Sequence, residues 1–340
     1  MSLGKSELLN RIEKFFFRDI HEKIFIGTAS DRYAGWLGQI YTPELYAGKI
    51  TRRTKRIGKE KLVEEILPVE SVREYFEHFR ILEIDFTFYS LLLDERGNPT
   101  RIFRTLVEYA RYFNNKGFVI LKVPQVIFAR KLYRDGNFVD NDEYLDVETF
   151  VRRFYDPALK ILGESLKGFI FEQEYQRKTD RVSSEELAEE LNGFFKEIPE
   201  DFRYHVEFRT AEYLSKPLFE VLKKYGVGQV FSHWTWLPRL RLQFRTSGGK
   251  FFNSGKTCIV RLMTPRGIRY EDAYIKAYPF NKLVEDMIDQ SMIDDTIEIM
   301  NRGINEGIDV NVIINNRAGG NAPMIARMIA GKFVSLNQVI

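Results

Sequence analysis

The sequence predicts an α/β fold, a single-domain (β/α)8 barrel of the TIM type with loop insertions and an extra N-terminal helix. Three observations carry that reading. Eight short β-rich runs recur along the chain. Most are separated by stretches with apolar residues at three- and four-residue spacing, as amphipathic helices require. Eight strand–helix units in 340 residues match the barrel in number and length, and their alternation implies parallel pairing through crossovers. A doubly wound open sheet is the alternative. It fits less well, because no glycine-rich phosphate loop follows any strand.

Residues 1–22 read as an N-terminal helical extension and 23–334 as the barrel domain. In the extension, "EKFFFRDI" (13–20) reads as a short amphipathic helix, and its flanking acids exclude a signal peptide. The expected strands are "KIFIGTA" (23–29), "ILEIDFTFY" (81–89), "FVILKVP" (118–124) and "GFIFEQE" (168–174). They continue with "YHVEFRT" (204–210), "GQVFSH" (228–233), "TCIVRLM" (257–263) and "VNVIINN" (310–316). Helices are expected over 69–79, 100–113, 147–162, 184–195, 211–225 and 280–304. Ser184 with Glu185 and Glu186 makes a good helix start, and another helix opens at Asn321 and Pro323. Segments 44–68, 125–146 and 234–256 read as insertions on the one domain.

The chain is 44% hydrophobic and 29% charged, ordinary for a globular protein. Its 51 bases and 48 acids nearly balance, so overall charge supports no particular partner. One cysteine, Cys258, excludes an internal disulfide framework and a multi-cysteine zinc site. Its neighbours offer no base, so it reads as a small buried hydrophobe. No apolar run approaches the ~20 residues of a membrane span, so no membrane role is expected and the cytoplasm is the expected location.

Side chains alternate across a strand, and the outer face of a barrel strand meets helices. In 204–210, Tyr204, Val206 and Phe208 share one face, leaving His205, Glu207 and Arg209 on the other. The same parity opposes Glu83, Asp85 and Thr87 to Leu82, Ile84 and Phe86, and it turns Lys122 and Arg261 inward. Three acids (Glu83, Asp85, Glu207) and three bases (Lys122, Arg209, Arg261) thus collect inside the barrel or at its mouth. Buried charges are costly unless paired. The bland outcome is an ion lattice that fills the barrel in place of aliphatic layers. The functional outcome is a site, since this fold carries its chemistry at the C-terminal ends of strands.

Residues 315–320, "NNRAGG", end the eighth strand at the N-terminus of a helix. Such a corner favours an anion, with Asn315, Asn316 and Arg317 as added donors. The plainer reading is a capped turn. Four histidines are few for a metal site, and none is expected. "DGNFVDND" (135–142) lacks EF-hand spacing and reads as a solvated loop. "TRRTKRIGKEK" (51–61) and "WTWLPRLRLQFR" (234–245) mix bases with other residues, the second with Trp234, Trp236 and Phe244 beside Arg239, Arg241 and Arg245. Together they support a nucleic-acid partner as a second reading. The second stretch also reads as a lid over the mouth.

Taken in order, "IGTA", "AGW", "LEIDFTFYSL", "LKVP", "HVEFRTAEYL", "IVRL" and "INNRAGGNAP" resemble the YecE-like family, domain of unknown function DUF72. The resemblance implies a TIM-type barrel and no settled activity. By motif, the family-like positions are Gly27, Thr28, Glu83, Thr87, Tyr89, Lys122, Glu207, Arg209, Arg261, Asn315 and Asn316. The chain departs where the family pattern carries histidines. Thr210 and Ala211 follow the "VEFR" arginine, and Met263–Thr264 follows "RL". It reads as a divergent member.

The leading expectation is a metal-independent enzyme, or a degenerate one, that binds a small anionic or phosphorylated ligand at the mouth. Hydrolysis or lyase chemistry needs no cofactor here. Lys122, Arg209, Arg261 and Arg317 would hold the anion, with Tyr89, Asn315, Asn316 and Trp234 completing the site. Glu207 would be the general acid or base, its charge state set by Asp85 or Glu83. The third reading is a non-catalytic scaffold.

Overall fold

The computed structural model describes residues 4–113, 117–134, 136–179 and 181–337. Its strands in chain order are β1 (Ile24–Ala29), β2 (Thr51–Ile57), β3 (Glu60–Ile66), β4 (Ile81–Ile84), β5 (Phe118–Lys122) and β6 (Lys131–Arg134). Then come β7 (Asn137–Asp140), β8 (Leu166–Gln173), β9 (Tyr204–Phe208), β10 (Gly228–His233), β11 (Thr257–Leu262) and β12 (Asp309–Ile314). Eight of them close a parallel barrel in the order β1–β12–β11–β10–β9–β8–β5–β4. The expected (β/α)8 fold is therefore the observed one. Its strands are buried on both faces, as a barrel wrapped in helices requires.

The helices differ from expectation where proline or a polar cap sets their ends. The stretch 211–225 begins as a single 3-10 turn, and its helix proper is Lys216–Tyr225. Pro217 pre-sets the first turn but disfavours helix before it. The stretch 147–162 runs as helix through a π turn at Val151–Tyr155. Pro157 has no N–H for the carbonyl of Arg153, which instead accepts from Leu92 and Leu93, both at 3.1 Å. In 280–304 the helix is Gln290–Asn305, capped by the Asp289 side chain on the Ser291 N–H.

Two further expectations are corrected. The N-terminal helix is Lys5–Glu13 and ends before the triple phenylalanine. Phe15 has φ +63°, which breaks the helix, and Phe17 is wholly buried. The insertions also carry hairpins that the sequence reading did not assign. β2 pairs antiparallel with β3, so the basic run 51–61 is strand rather than loop. β6 pairs with β7, which places 137–140 of the acidic stretch in a strand; Asp135 lies outside the described residues.

The barrel interior has an apolar floor of Phe25, Ile81, Ile120, Ile170, Val230, Ile259 and Ile313. The charged layer sits above this floor and does not replace it. Gly27 lies where β1 meets β4, and a Cβ there would stand 1.8 Å from the Ile81 carbonyl oxygen. That atom is backbone and cannot swing aside. Gly27→Ala should therefore cost about 3 kcal/mol through displaced strands. Urea unfolding checks this, and an unchanged midpoint would show that the β1–β4 contact is looser than described.

Candidate functional site

The alternation rule brings most of the expected charges together. Glu83 comes from β4, Lys122 ends β5, Glu207 is in β9, Arg209 follows it, and Arg261 is in β11. Glu172 of β8 completes the group. Glu172 and Glu207 are register partners in neighbouring strands. Like charges directly opposite destabilise a sheet unless something bridges them. Arg261 and Arg209 each do so.

The Arg261 guanidinium grips Glu83 with two hydrogen bonds, Nε to Oε2 at 2.7 Å and Nη2 to Oε1 at 2.6 Å. Its Nη1 reaches Glu207 Oε2, and Glu172 Oε2 at 3.3 Å. Arg209 places Nη2 2.8 Å from Glu172 and Nε 3.1 Å from Glu207. Lys122 Nζ is 2.6 Å from Glu172 Oε2. Three positive and three negative side chains form one connected layer. Bidentate arginine–carboxylate pairs are the strong form of such contacts.

The layer has a sealed half and an open half. The side chains of Glu83, Glu207 and Arg261 are 0, 0 and 1% exposed. Those of Lys122, Glu172 and Arg209 are 9, 12 and 7% exposed. Burial pushes the Glu83 carboxyl up, with Arg261 opposing. Burial also raises Glu172, but Arg209, Lys122 and Arg261 outweigh it and hold that carboxyl well below its ordinary value. Burial lowers the Lys122 amine against the pull of Glu172, and Arg261 and Arg209 lower it further.

Aromatic rings crown the open half. The Phe88 ring lies 3.6 Å from Lys122 Nζ, and the Trp234 ring lies 4.1 Å from the Arg209 guanidinium carbon. Trp234 Nε1 is buried and has no protein acceptor. Trp236 is half exposed beside Tyr175, ring centroids 5.9 Å apart. Tyr89 is 69% exposed on the loop after β4, near Asp85 and Tyr270.

Other sequence-derived residues lie elsewhere. β4 stops at Ile84, and Asp85 takes a helical conformation that starts a 3-10 turn. Asp85 therefore leaves the charged layer and accepts from Ser30 Oγ at 2.8 Å. Thr87 is buried and donates to the carbonyls of Ile84 and Lys122. The expected anion corner is occupied by the chain itself. Asn315 Oδ1 accepts from the Arg317 N–H, and Asn316 Oδ1 accepts from Ala322 N–H and Trp36 Nε1. Asn321 caps Met324. The two Oδ1 atoms thus serve a capped turn, while Asn316 Nδ2 is buried with no protein partner. Arg317 lies over Tyr270 at 4.3 Å, with Thr264 Oγ1 3.5 Å from its Nε.

The segment 234–256 is pinned rather than free as a lid. Arg239 and Arg241 pair with Asp295, and Arg241 also with Glu298. Gln243 bonds the backbone of Ser232 in both directions. In the basic hairpin, Arg52 pairs with Glu65, and Arg53 and Lys55 with Glu64. Both basic stretches thus spend charge on internal acids.

His205 is buried at the start of β9, its ring between the Arg203 carbonyl and Thr257 Oγ1. Burial lowers it to about 4. His233 lies at the far end of β10, 3.8 Å from Asp289. Among the described residues no group of three or more His, Cys, Asp or Glu could hold a metal ion. Cys258 is buried, and burial raises its thiol. Where the chain departs from the family pattern, Thr210 and Tyr213 are buried and bonded to Gln176, Tyr213 at 2.6 Å.

A family profile described as "Protein of unknown function DUF72" matches residues 62–338. The chain belongs to the DUF72 family. Its matched span includes Glu83, Lys122, Glu172, Glu207, Arg209 and Arg261, while Gly27 and Thr28 precede it. A crystal structure of a DUF72 protein from Thermotoga maritima (TM1631) is similar over 93% of this chain and 99% of that one, with TM-score 0.52 and 17% identity. A DUF72 protein from Enterococcus faecalis (ef0366) is similar over 92% and 96%, with TM-score 0.53 and 15% identity. These likenesses concern the barrel fold alone. Comparison with curated proteins finds no match. Among the described residues of this DUF72 chain, no helix is long and apolar enough to cross a membrane.

Removing Arg261 leaves buried carboxylates without their counter-charge, at a cost of about 3–5 kcal/mol. In Arg261→Met, Glu83, already raised by burial, should take a folded pKa further above its unfolded value of ~4.3. Stability from such groups is present below the unfolded pKa and lost as pH rises through the folded one. Glu172 in the intact protein works the opposite way, its contribution lost as pH falls below ~4.3. Melting temperature against pH should therefore show Arg261→Met gaining on the parent as the solution is acidified. Parallel curves would sink this account.

Proposed function

We propose that the C-terminal mouth of this barrel binds a small anionic or phosphorylated ligand and acts on it without a metal, as a hydrolase or lyase. The observation that carries the reading is the split of the charged layer. Glu83, Glu207 and Arg261 are sealed, whereas Lys122, Glu172 and Arg209 reach the mouth. A purely structural lattice has no need to present its outer half beneath a ring of aromatics.

The ligand's anion meets Arg209 and Lys122. Arg209 bonds both Glu172 and Glu207 through Nη2, and its Nε lies 3.1 Å from Glu207 without a hydrogen bond, which leaves Nη1 for a ligand. Trp234 stacks on that guanidinium and fixes its plane. The sealed pair does not reach the ligand, so the proton-handling part assigned from sequence to Glu207 passes to Glu172. Glu207 and Glu83 then act as positioning residues through Arg261. Arg317 and Tyr89 stand at the rim.

Isothermal titration with inorganic phosphate and small phosphorylated acids tests the reading. A charged hydrogen bond contributes about 1.5–3 kcal/mol, so Arg209→Gln should weaken binding roughly 10- to 150-fold. Binding that survives Arg209→Gln unchanged, or no binding at millimolar ligand, would remove the reading.

A further inference from the structure

We infer that Lys122 is a nucleophilic amine that condenses with a small carbonyl-bearing anion to form an iminium; the inference rests on the mouth being the ligand site. Position comes first. Lys122 is the last residue of β5, at the barrel end where this fold places its chemistry. The backbone there is held by Thr87, whose Oγ1 donates to the Lys122 carbonyl at 2.7 Å. The side chain is nearly buried yet belongs to the open half of the layer.

The choice of residue is the second argument. The other two cations of the layer are arginines, and each bridges at least two carboxylates. Lys122 pairs with one, Glu172. A guanidinium would serve a lattice better at this place, since it offers a rigid fork of donors. A lysine offers something an arginine does not, a primary amine able to attack a carbonyl carbon. Burial beside Arg261 and Arg209 favours the neutral amine, against the pull of Glu172.

The third argument is charge. Lys122 enters as an ammonium and passes one proton to Glu172, whose hold by the surrounding cations is offset by the ligand's anion on Arg209. The amine nitrogen forms a bond to the carbonyl carbon as the C=O π bond breaks, and a proton passes from that nitrogen to the oxygen to give a neutral carbinolamine. Glu172 returns its proton to that hydroxyl, the C–O bond breaks, and water leaves. The nitrogen lone pair then completes the C=N bond. Ammonium and carbonyl become iminium and water, so the positive charge stays on the nitrogen. The three-against-three balance of the layer survives the reaction. Phe88 lies 3.6 Å from the amine and limits water at the bond formed. Arg209 holds the anionic end of the same molecule.

The test is reductive trapping on the full chain. Pyruvate, glyoxylate and glyceraldehyde 3-phosphate are each incubated with the protein, borohydride is added, and peptides are mapped by mass. The expected result is a reduced adduct on Lys122, at least tenfold above that on any other lysine and suppressed by excess inorganic phosphate. Adducts spread evenly over the lysines, or none on Lys122, would overturn the inference. Because the mapping is done on the unaltered protein, it does not depend on Lys122→Arg folding. Phosphate binding without an adduct would leave the anion reading standing and remove the iminium. A Lys122 adduct that phosphate and Arg209→Gln leave untouched would keep the iminium and remove the anion reading.

Discussion

One guanidinium organises the upper half of this barrel. Arg261 projects from β11 into the barrel above its apolar floor, and it meets three carboxylates drawn from β4, β8 and β9. Two of those carboxylates face each other in register. Without a shared cation their strands would repel at that pair. Buried ion pairs of this kind are weak evidence for stability, because desolvation offsets attraction. Here the arrangement does something more specific. It fixes the side chains of strands that are far apart in sequence, and so sets the geometry on which Arg209 and Lys122 rest.

The layering follows from strand parity. Several inward strand positions below the charges carry an aliphatic residue, with Ile120 under Lys122, Ile170 under Glu172 and Ile259 under Arg261, whereas His205 lies under Glu207. The floor excludes water from below and lowers the local dielectric, which strengthens contacts among the charges. The loops above contribute rings over two of the cations. Phe88 and Trp234 each cover one cation of the open half. The result is a charged plate, dry underneath and aromatic on top.

Much of this was legible in the sequence because alternation is a local rule. Glu83, Lys122, Glu207 and Arg261 fall where parity puts them, and the count and order of barrel strands follow from the spacing of apolar runs. Asp85 was lost to the rule because β4 ends one residue earlier, and parity means nothing beyond a strand's end. Glu172 was the reverse case. It shares parity with Gly168 and Ile170 in "GFIFEQE", so the signal is present, but its inward neighbours there are uncharged and do not mark the face as polar. The asparagine corner is ambiguous for a different reason. Asn side chains that suit an anion suit a helix N-terminus equally well, and the bonds from Ala322 and Arg317 take up their Oδ1 atoms. The hairpins were hidden because a charged, solvent-facing strand pair has little apolar alternation to read.

The even count of charges in the plate has a bearing on how a ligand arrives. Three cations interleaved with three anions cancel at a distance, and salt screens whatever remains within about 8–10 Å. A ligand diffusing toward the mouth is therefore not drawn in by a long-range field. It must collide in the right orientation, at the roughly 10⁵–10⁶ M⁻¹s⁻¹ of unsteered encounter. Capture and selection both happen at contact range, where the aromatic rim is met first.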